Sequence, residues 1–207
     1  MPELRDEPTS VDVLESTLEF EGRVWDIRRE RFRIAGTEVV RDFVDHTGAV
    51  AVLALDERDR VLLIQQYRHP VRSRDWELPA GLLDMAGEDY LAAAQRELAE
   101  EADLVAEQWN VLSDILVSPG GSTETIRIYL ARGVSAAPAV FERTEEEAEI
   151  VLRWVDLDEA VDAVLARELQ NSLLCIALLA AHAGRSRGWS TLAPADSPWP
   201  QHRGQGR

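Results

Sequence analysis

Alternating apolar and polar residues dominate the first half of the chain. Residues 16–46 contain three segments with this alternation, and the turn between the last two falls at residues 35–36. Two apolar runs within residues 49–69 flank the polar sequence DERDR, which predicts a second hairpin. A further short strand is expected over residues 75–81, where it ends in Pro-Ala-Gly. The first half is therefore expected to be rich in β-strands.

The first predicted helix covers residues 87–104. Leu91, Ala94, Leu98 and Ala102 recur there at spacings of three and four residues, which indicates one apolar face for packing on a sheet.

The second half of the chain mixes strands and helices. Strands are predicted over residues 108–118 and 124–134, on the two sides of the loop PGGST, and again over 149–157. Two helices follow over residues 157–170 and 171–184. This order predicts either an α+β fold or a mixed α/β sandwich, and not a regular βαβ repeat.

Charge and composition narrow the classes of function. The chain has 207 residues, of which 45% are hydrophobic, and its formal net charge is −16. The negative charge argues against nucleic acid as the main partner, because phosphate backbones need a basic footprint. No apolar run reaches the roughly 20 residues that span a membrane. The N-terminus also lacks the pattern of a signal peptide, and Cys175 is the single cysteine. These features predict a cytoplasmic protein that does not bind membranes.

The sequence RELAEEADL, residues 96–104, places an unusual density of acids on the predicted helix. Glu97 and Glu101 share one face, with Glu100 beside them, because positions three and four apart are neighbours on a helix. Arg96 precedes Glu100 by one turn and can pair with it. Carboxylates are hard oxygen ligands suited to Mg²⁺ or Mn²⁺, and such an ion would cancel their repulsion. The alternative is an acidic helix face that is simply solvated.

Residues 81–104 resemble the Nudix box, Gly-x5-Glu-x7-Arg-Glu-U-x-Glu-Glu-x-Gly-U, in which U is an apolar residue. The chain has Gly81, six residues, Glu88, seven residues and then residues 96–104. It departs from the box in two places: one extra residue lies between Gly81 and Glu88, and Asp103 replaces the closing glycine. The extra residue falls in a loop, and Asp tolerates the left-handed conformation better than most residues.

The resemblance implies an α/β/α sandwich with a mixed sheet, and hydrolysis of a nucleoside diphosphate linked to another group. It also implies that Glu97, Glu100, Glu101 and the Ala80 carbonyl bind Mg²⁺, with Mn²⁺ as the second choice. Arg96 would then orient the glutamates, and Glu100 would assist catalysis.

Segments outside the box are similar to the ADP-ribose pyrophosphatases of that family. These are QQYRHPVRSRDWELPAGLLD (residues 65–84), Pro119 in the loop SPGGSTE, and the strands before residue 46. In that subfamily the N-terminal strands reach across a homodimer to clasp the adenosine. The similarity implies that a homodimer hydrolyses ADP-ribose to AMP and ribose 5-phosphate. A pyrophosphatase for GDP-mannose or a UDP-sugar, an inactive nucleotide-binding regulator and a structural interaction protein remain as alternatives.

The domain organisation follows from these segments. Residues 1–46 are expected to form an N-terminal β arm that makes the dimer, and residues 47–185 a Nudix domain. Residues 186–207 are rich in Pro, Gly and Arg, and we expect a disordered tail there.

Four side chains outside the helix are candidates for binding the substrate, together with Pro119. Arg68 follows a strand and can reach a phosphate. Arg41 and Asp42 offer a donor and an acceptor for the adenine edge, and Trp25 offers a face for stacking on the base. The alternatives are a structural salt bridge for Arg68, plain strand positions for Arg41 and Asp42, and interior or interface packing for Trp25.

Hydrolysis needs a general base that accepts a proton from the attacking water. In the subfamily that this chain resembles, the base lies on a loop before a late strand, which is here the sequence FERTEEEAEIVLRWV (residues 141–155). Its candidates are Glu142, Glu145, Glu146 and Glu147. Glu147 is the first choice and Glu146 the second, because they lie closest to the predicted start of the strand.

Overall fold

Eleven strands and three helices form the regular structure of the described residues, 3–141 and 149–202, in the computed structural model. The strands are β1 (Asp12–Phe20), β2 (Asp26–Ile34), β3 (Thr37–Asp45), β4 (Ala49–Leu55), β5 (Arg60–Arg68), β6 (Ser73–Glu77), β7 (Ala80–Leu82), β8 (Leu104–Leu116), β9 (Thr125–Ala136), β10 (Val151–Asp156) and β11 (Ala193–Pro194). The helices are α1 (Tyr90–Ala102), α2 (Leu157–Leu165) and α3 (Ser172–Arg185). None of the helices in these ranges is long and apolar enough to cross a membrane.

Strands β1, β2 and β3 form a separate antiparallel sheet, named here the arm sheet. Its β2–β3 hairpin turns at Ala35 and Gly36, which both have positive φ, so the predicted turn is confirmed. Ion pairs connect facing strands of this sheet, for example Arg29 with Asp42 and Arg28 with Asp45. Many of its apolar side chains face solvent, so these polar pairs and the backbone ladder hold the strands together.

The second sheet is mixed and has the strand order β10-β5-β4-β9-β8-β11. Strands β4 and β9 run parallel, whereas the pairs β4–β5 and β8–β9 are antiparallel. All of β4, AVAVLAL, is buried, because helices cover this strand on both faces. The mixed sheet decides between the two predicted fold classes in favour of the α/β sandwich.

Alternate residues of β4 point to opposite faces of the sheet and enter two separate cores. Leu53 packs in a core with Leu174 and Leu178 of α3 and with residues of α2. Val52 packs in the other core with Leu98 and its neighbours on α1. The sheet therefore lies between α1 on one side and α2 with α3 on the other, which confirms the α/β/α architecture.

The predicted single strand over residues 75–81 is wrong in one respect. The chain forms two strands there, separated at Leu78 and Pro79; β6 pairs with β5, and β7 pairs with β4. Proline lacks the backbone donor that a continuous strand needs. The break brings β7 next to α1, which positions the candidate site.

The expected disorder after α3 is wrong for residues 186–202. Strand β11 pairs with β8, Trp199 is 7% exposed within the α1 core, and buried Arg127 donates to two carbonyls of the segment. Composition suggested a loose tail, but buried contacts with the main sheet order this segment. Residues 193–202 are named here the C-terminal strap; residues 203–207 lie outside the described part of the chain.

Candidate active site

Two aspartates define the ends of α1, the helix that carries the acidic sequence. The Asp89 side chain accepts hydrogen bonds from the backbone N–H groups of Leu91 and Ala92 at 2.9 and 3.3 Å and thereby caps the first turn. Asp103 ends the helix in the left-handed conformation, with φ 54°, as the resemblance predicted for this position. Its carboxylate also accepts from the backbone N–H of Phe141 at 3.1 Å, a bond that glycine has no side chain to make.

Strand β7 lies directly against the acidic face of α1. The side chain of Glu101, a residue only 6% exposed, accepts a hydrogen bond from the backbone N–H of Ala80 at 2.9 Å. Glu97 lies so close to Gly81 that a Cβ at this glycine would stand 1.9 Å from Oε1 of Glu97. Only glycine therefore permits the approach. Residues 80–81 form a backbone cradle for the two glutamates that the sequence placed on one helix face.

Arg96 connects three glutamates. Its Nε and Nη2 each donate to Glu88 at 3.0 Å, while Nη1 donates to Glu97 at 2.6 Å and to Glu100 at 3.0 Å. The predicted pairing of Arg96 with Glu100 is therefore confirmed. The hydrogen bond with Glu88 is the main reason that the pKa of Arg96 is raised, and the same bond lowers the pKa of Glu88. The positive charge of Arg96 therefore occupies a fixed position among these glutamates.

The chemistry of this cluster fits a divalent cation. Glu97, Glu100 and Glu101 supply carboxylate oxygens, and the cradle supplies backbone beside them. Within residues 3–141 and 149–202, no three His, Cys, Asp or Glu side chains already converge on one point as a metal site. Nη1 of Arg96 instead bridges Glu97 and Glu100. Each of these two carboxylates accepts from Arg96 through one of its two oxygens.

Arg68 forms a salt bridge at the end of β5. Its guanidinium donates to both oxygens of Glu77 on β6, at 2.9 and 2.6 Å. Glu77 is 4% exposed, whereas the Arg68 side chain remains 45% exposed. The structural salt bridge that was the alternative interpretation of Arg68 is therefore observed. It orients the Arg68 guanidinium through Glu77, which lies three residues before the start of β7. Glu77 was missed; its signal was an acid between the apolar residues Trp76 and Leu78.

A cavity of about 630 Å³ lies beside the arm sheet and brings together Arg41, Asp42 and Pro119, three of the candidate substrate residues. Arg41 donates to the carbonyl of Val40 at 2.8 Å. Asp42 accepts two hydrogen bonds from Arg29, at 2.7 and 3.1 Å, which lower its pKa. Because Arg29 engages its carboxylate, Asp42 is a weaker acceptor for a base than the sequence suggested.

Trp25 does not line this cavity and stacks instead on His46, with ring centroids 5.6 Å apart. Nδ1 of His46 accepts from the backbone N–H of Gly48 at 2.9 Å, and Nε2 lies 3.6 Å from the carboxylate of Glu124. Burial lowers the pKa of His46 and raises that of Glu124. Glu124, which lines the cavity, was also missed, although it directly follows the loop PGGST.

The candidate bases Glu142, Glu145, Glu146 and Glu147 lie outside the described residues, so the general base stays a prediction. The described residues that flank this segment, Phe141 and Glu149, both contact the main domain. Phe141 donates to Asp103 at the end of α1, and Glu149 pairs with Arg74 of β6.

Comparisons with known proteins agree with this arrangement. The family model described as NUDIX domain matches residues 45–174, which begin at the last residue of β3. The ADP-ribose pyrophosphatase of Mycobacterium tuberculosis is 41% identical over 179 residues, which cover 86% of this chain and 86% of that protein. The methanol dehydrogenase activator of Bacillus methanolicus is 34% identical over 160 residues, or 77% of this chain and 85% of that protein.

A solved structure described as an ADP compounds hydrolase has the same fold. It superposes with a TM-score of 0.72 and covers 89% of this chain and 99% of its own. The sequences are 19% identical, so this likeness concerns the fold alone.

Proposed function

This chain belongs to the NUDIX family, and from that premise we propose that it hydrolyses the diphosphate of ADP-ribose to AMP and ribose 5-phosphate. The observation that carries the proposal is the contact of Glu97 and Glu101 with the backbone of residues 80–81. Arg96 donates a hydrogen bond to Glu97 in this arrangement. Gly81, Arg96, Glu97 and Glu101 are all positions of the Nudix box, so the contact depends on the spacing of the box along the chain. The 41% identity with an ADP-ribose pyrophosphatase supports the choice of substrate.

Nudix hydrolases generally need a divalent metal, and we assign its ligands here to Glu97, Glu100, Glu101 and the Ala80 carbonyl, with Mg²⁺ preferred and Mn²⁺ as the second choice. A bound divalent ion neutralises charge on the diphosphate and makes water a better nucleophile. Arg96 positions Glu97 and Glu100 through its Nη1.

Glu147 is our proposed general base, with Glu146 as the second choice. The base accepts a proton from water, the water oxygen bonds to one phosphorus, and the P–O bond of the anhydride breaks. The bridging oxygen leaves with the other phosphate, so one water and one ADP-ribose give AMP and ribose 5-phosphate. The run of acids before β10 supports this assignment.

The cavity is our proposed site for the nucleoside half of the substrate. Arg41, Asp42 and Pro119 line it. Arg68, which Glu77 orients, is proposed to contact a phosphate, because its side chain is 45% exposed and guanidinium binds phosphate oxygens well. Trp25, which does not line this cavity, is proposed to stack on a base bound by the partner subunit, since it is 47% exposed.

A homodimer through the arm sheet is also proposed. Large apolar side chains on its strands and connections are exposed, including Phe20 at 63%, Ile34 at 50% and Trp25 at 47%. Exposed apolar side chains that cluster on one element commonly mark an interaction surface. A second copy of the chain would cover them.

The test is analysis of products from ADP-ribose, GDP-mannose and UDP-glucose, each with Mg²⁺ and with a chelator. We expect AMP from ADP-ribose, and no product when the chelator is present. Glu101→Gln should abolish the reaction, whereas Glu107→Gln, an exposed acid on β8, should leave it unchanged. GMP or UMP at comparable rates would contradict the substrate, and no cleavage of any compound would contradict the enzyme.

A further inference from the structure

The C-terminal strap packs against the start of α1 through aromatic rings. Trp199 meets Tyr90, the first residue of α1, edge to face at 5.3 Å, and stacks on His202 at 4.7 Å. His202 also meets Tyr90 at 5.2 Å. The end of the strap is therefore packed onto the helix that carries the acidic cluster.

A buried arginine holds the middle of the strap. Arg127 on β9 is 1% exposed and donates to the carbonyls of Ser197 at 2.6 Å and Pro198 at 3.2 Å. It also makes two bonds of 2.8 Å with Asp114, and its guanidinium lies 4.9 Å from the ring centre of Trp199. A buried charge needs all of these acceptors. Two backbone carbonyls of the strap accept hydrogen bonds from Arg127. These bonds fix the position of the strap backbone just before Trp199.

The last described residue of the strap is held as firmly. His202 shares a hydrogen bond of 3.1 Å with Thr125, and its ring stands 2.7 Å from the position that a Cβ on Gly48 would take. Gly48 has φ +86°, so both the conformation and the space require glycine there. Thr125 lines the cavity, and His202 therefore attaches the strap to the cavity wall.

Between these two anchors, Pro200 and Gln201 line the cavity. Because Trp199 and His202 are both packed, the two intervening residues are held at the wall. In the described part of the chain, the Gln201 amide makes no hydrogen bond to a protein group. An amide carries one acceptor and two donors, which is the combination that matches the N7 and N6 edge of adenine.

We propose that the strap is part of the nucleotide site and that Gln201 determines base specificity, by hydrogen bonding to the adenine edge of a nucleotide in the cavity. This inference rests on the proposed function, because the nucleotide is the substrate assigned there. Gln201 accepts from N6 of adenine and donates to N7. Hypoxanthine has two acceptors on the same edge, so the amide satisfies only one of them.

The test compares ADP-ribose with its inosine analogue, which differs only in the base. For Gln201→Ala, we expect kcat/KM with ADP-ribose to decrease by about three- to tenfold, the loss of one or two hydrogen bonds. The inosine analogue should be affected less, so the preference for adenine should shrink. Gln108→Ala, an exposed glutamine on β8 outside the cavity, is the matched control and should match the wild type in both reactions.

Equal losses with both substrates, or no loss with either, would overturn the inference while leaving ADP-ribose hydrolysis intact. If the wild type does not hydrolyse ADP-ribose, the proposed function fails separately, and calorimetric binding of AMP and IMP then decides. The inference predicts tighter binding of AMP than of IMP by the wild type, and a reduced difference in Gln201→Ala. Equal affinities in the wild type, or no binding of either nucleotide, would also overturn it.

Discussion

The acidic face of α1 and the cavity beside the arm sheet are built in opposite ways. The first uses residues 80–101, which are close in sequence, and packs Glu101 against the backbone of β7. The second gathers its lining from residues 6 to 201, and Arg41 and Asp42 in it are exposed. A tightly packed local site should lose its function abruptly on substitution. An open, composite cavity should change its selectivity gradually.

The largest effect should come from the strap, which packs on the start of α1 and lines the cavity. Trp199→Ala removes a buried ring that packs on α1 and on Arg127, so we expect the free energy of unfolding to decrease by about 3 to 5 kcal/mol. Tyr67→Ala, at a residue of β5 that is 42% exposed, is the control and should cost less than about 1 kcal/mol. Urea unfolding measures both. Similar losses would mean that Trp199 contributes no more stability than an exposed aromatic residue.

The tight packing of the acidic face is tested by Gly81→Ala. The new Cβ would overlap Glu97, so this side chain must move away from β7. A misplacement of this kind costs on the order of 100-fold in the rate of hydrolysis. The thermal unfolding midpoint shows whether the fold survives. Full activity in a folded variant would contradict the proposed role of the Gly81 and Glu97 contact.

A smaller effect is expected at the end of α1. Asp103→Ala loses the bond to Phe141 and places a less tolerant residue at φ 54°, so the free energy of unfolding should decrease by about 1 to 2 kcal/mol. Asp103→Gly loses the same bond but relieves the backbone, and should cost less than about 1 kcal/mol. Comparison of the two by urea unfolding separates the side-chain bond from the backbone conformation. An equal cost would mean that the left-handed conformation is not strained for alanine.

The smallest effect should be a dependence of stability on pH. Burial, and secondly Arg127, lowers the pKa of His202 below its ordinary value of 6.5. His202 binds a proton more readily in the unfolded chain than in the folded one. Its contribution to the free energy of unfolding is therefore complete above pH 6.5 and is lost as the pH falls below that value.

His202→Asn should therefore reduce the loss of unfolding free energy between about pH 7.5 and 5.5. The pKa of His46 is lowered as well, so part of the dependence should persist in the variant. An unchanged dependence in His202→Asn would show that His202 does not contribute to it.

The sequence was most informative where the relevant contacts repeat along one element. The spacing of Glu97, Glu100 and Glu101 placed them correctly relative to Arg96, because a helix makes neighbours of residues three and four apart. It was less informative where a side chain has partners on another strand. The sequence allowed a structural salt bridge for Arg68 but did not identify Glu77 as its partner, because that pairing depends on the register between β5 and β6.

The sequence by itself determined most of the strands, the order of those elements, the acidic helix and the glycine beside it. These features depend on hydrophobic periodicity and on the conformations of single residues, both of which are local. The tertiary structure alone decided that the Pro- and Gly-rich segment after α3 is ordered and that it lines one wall of the cavity. Arg127 and Trp199 are 72 positions apart in the numbering, and no periodic pattern connects them. Their contact exists because a buried guanidinium needs acceptors and an indole ring needs a core, and the folded sheet brings the two together.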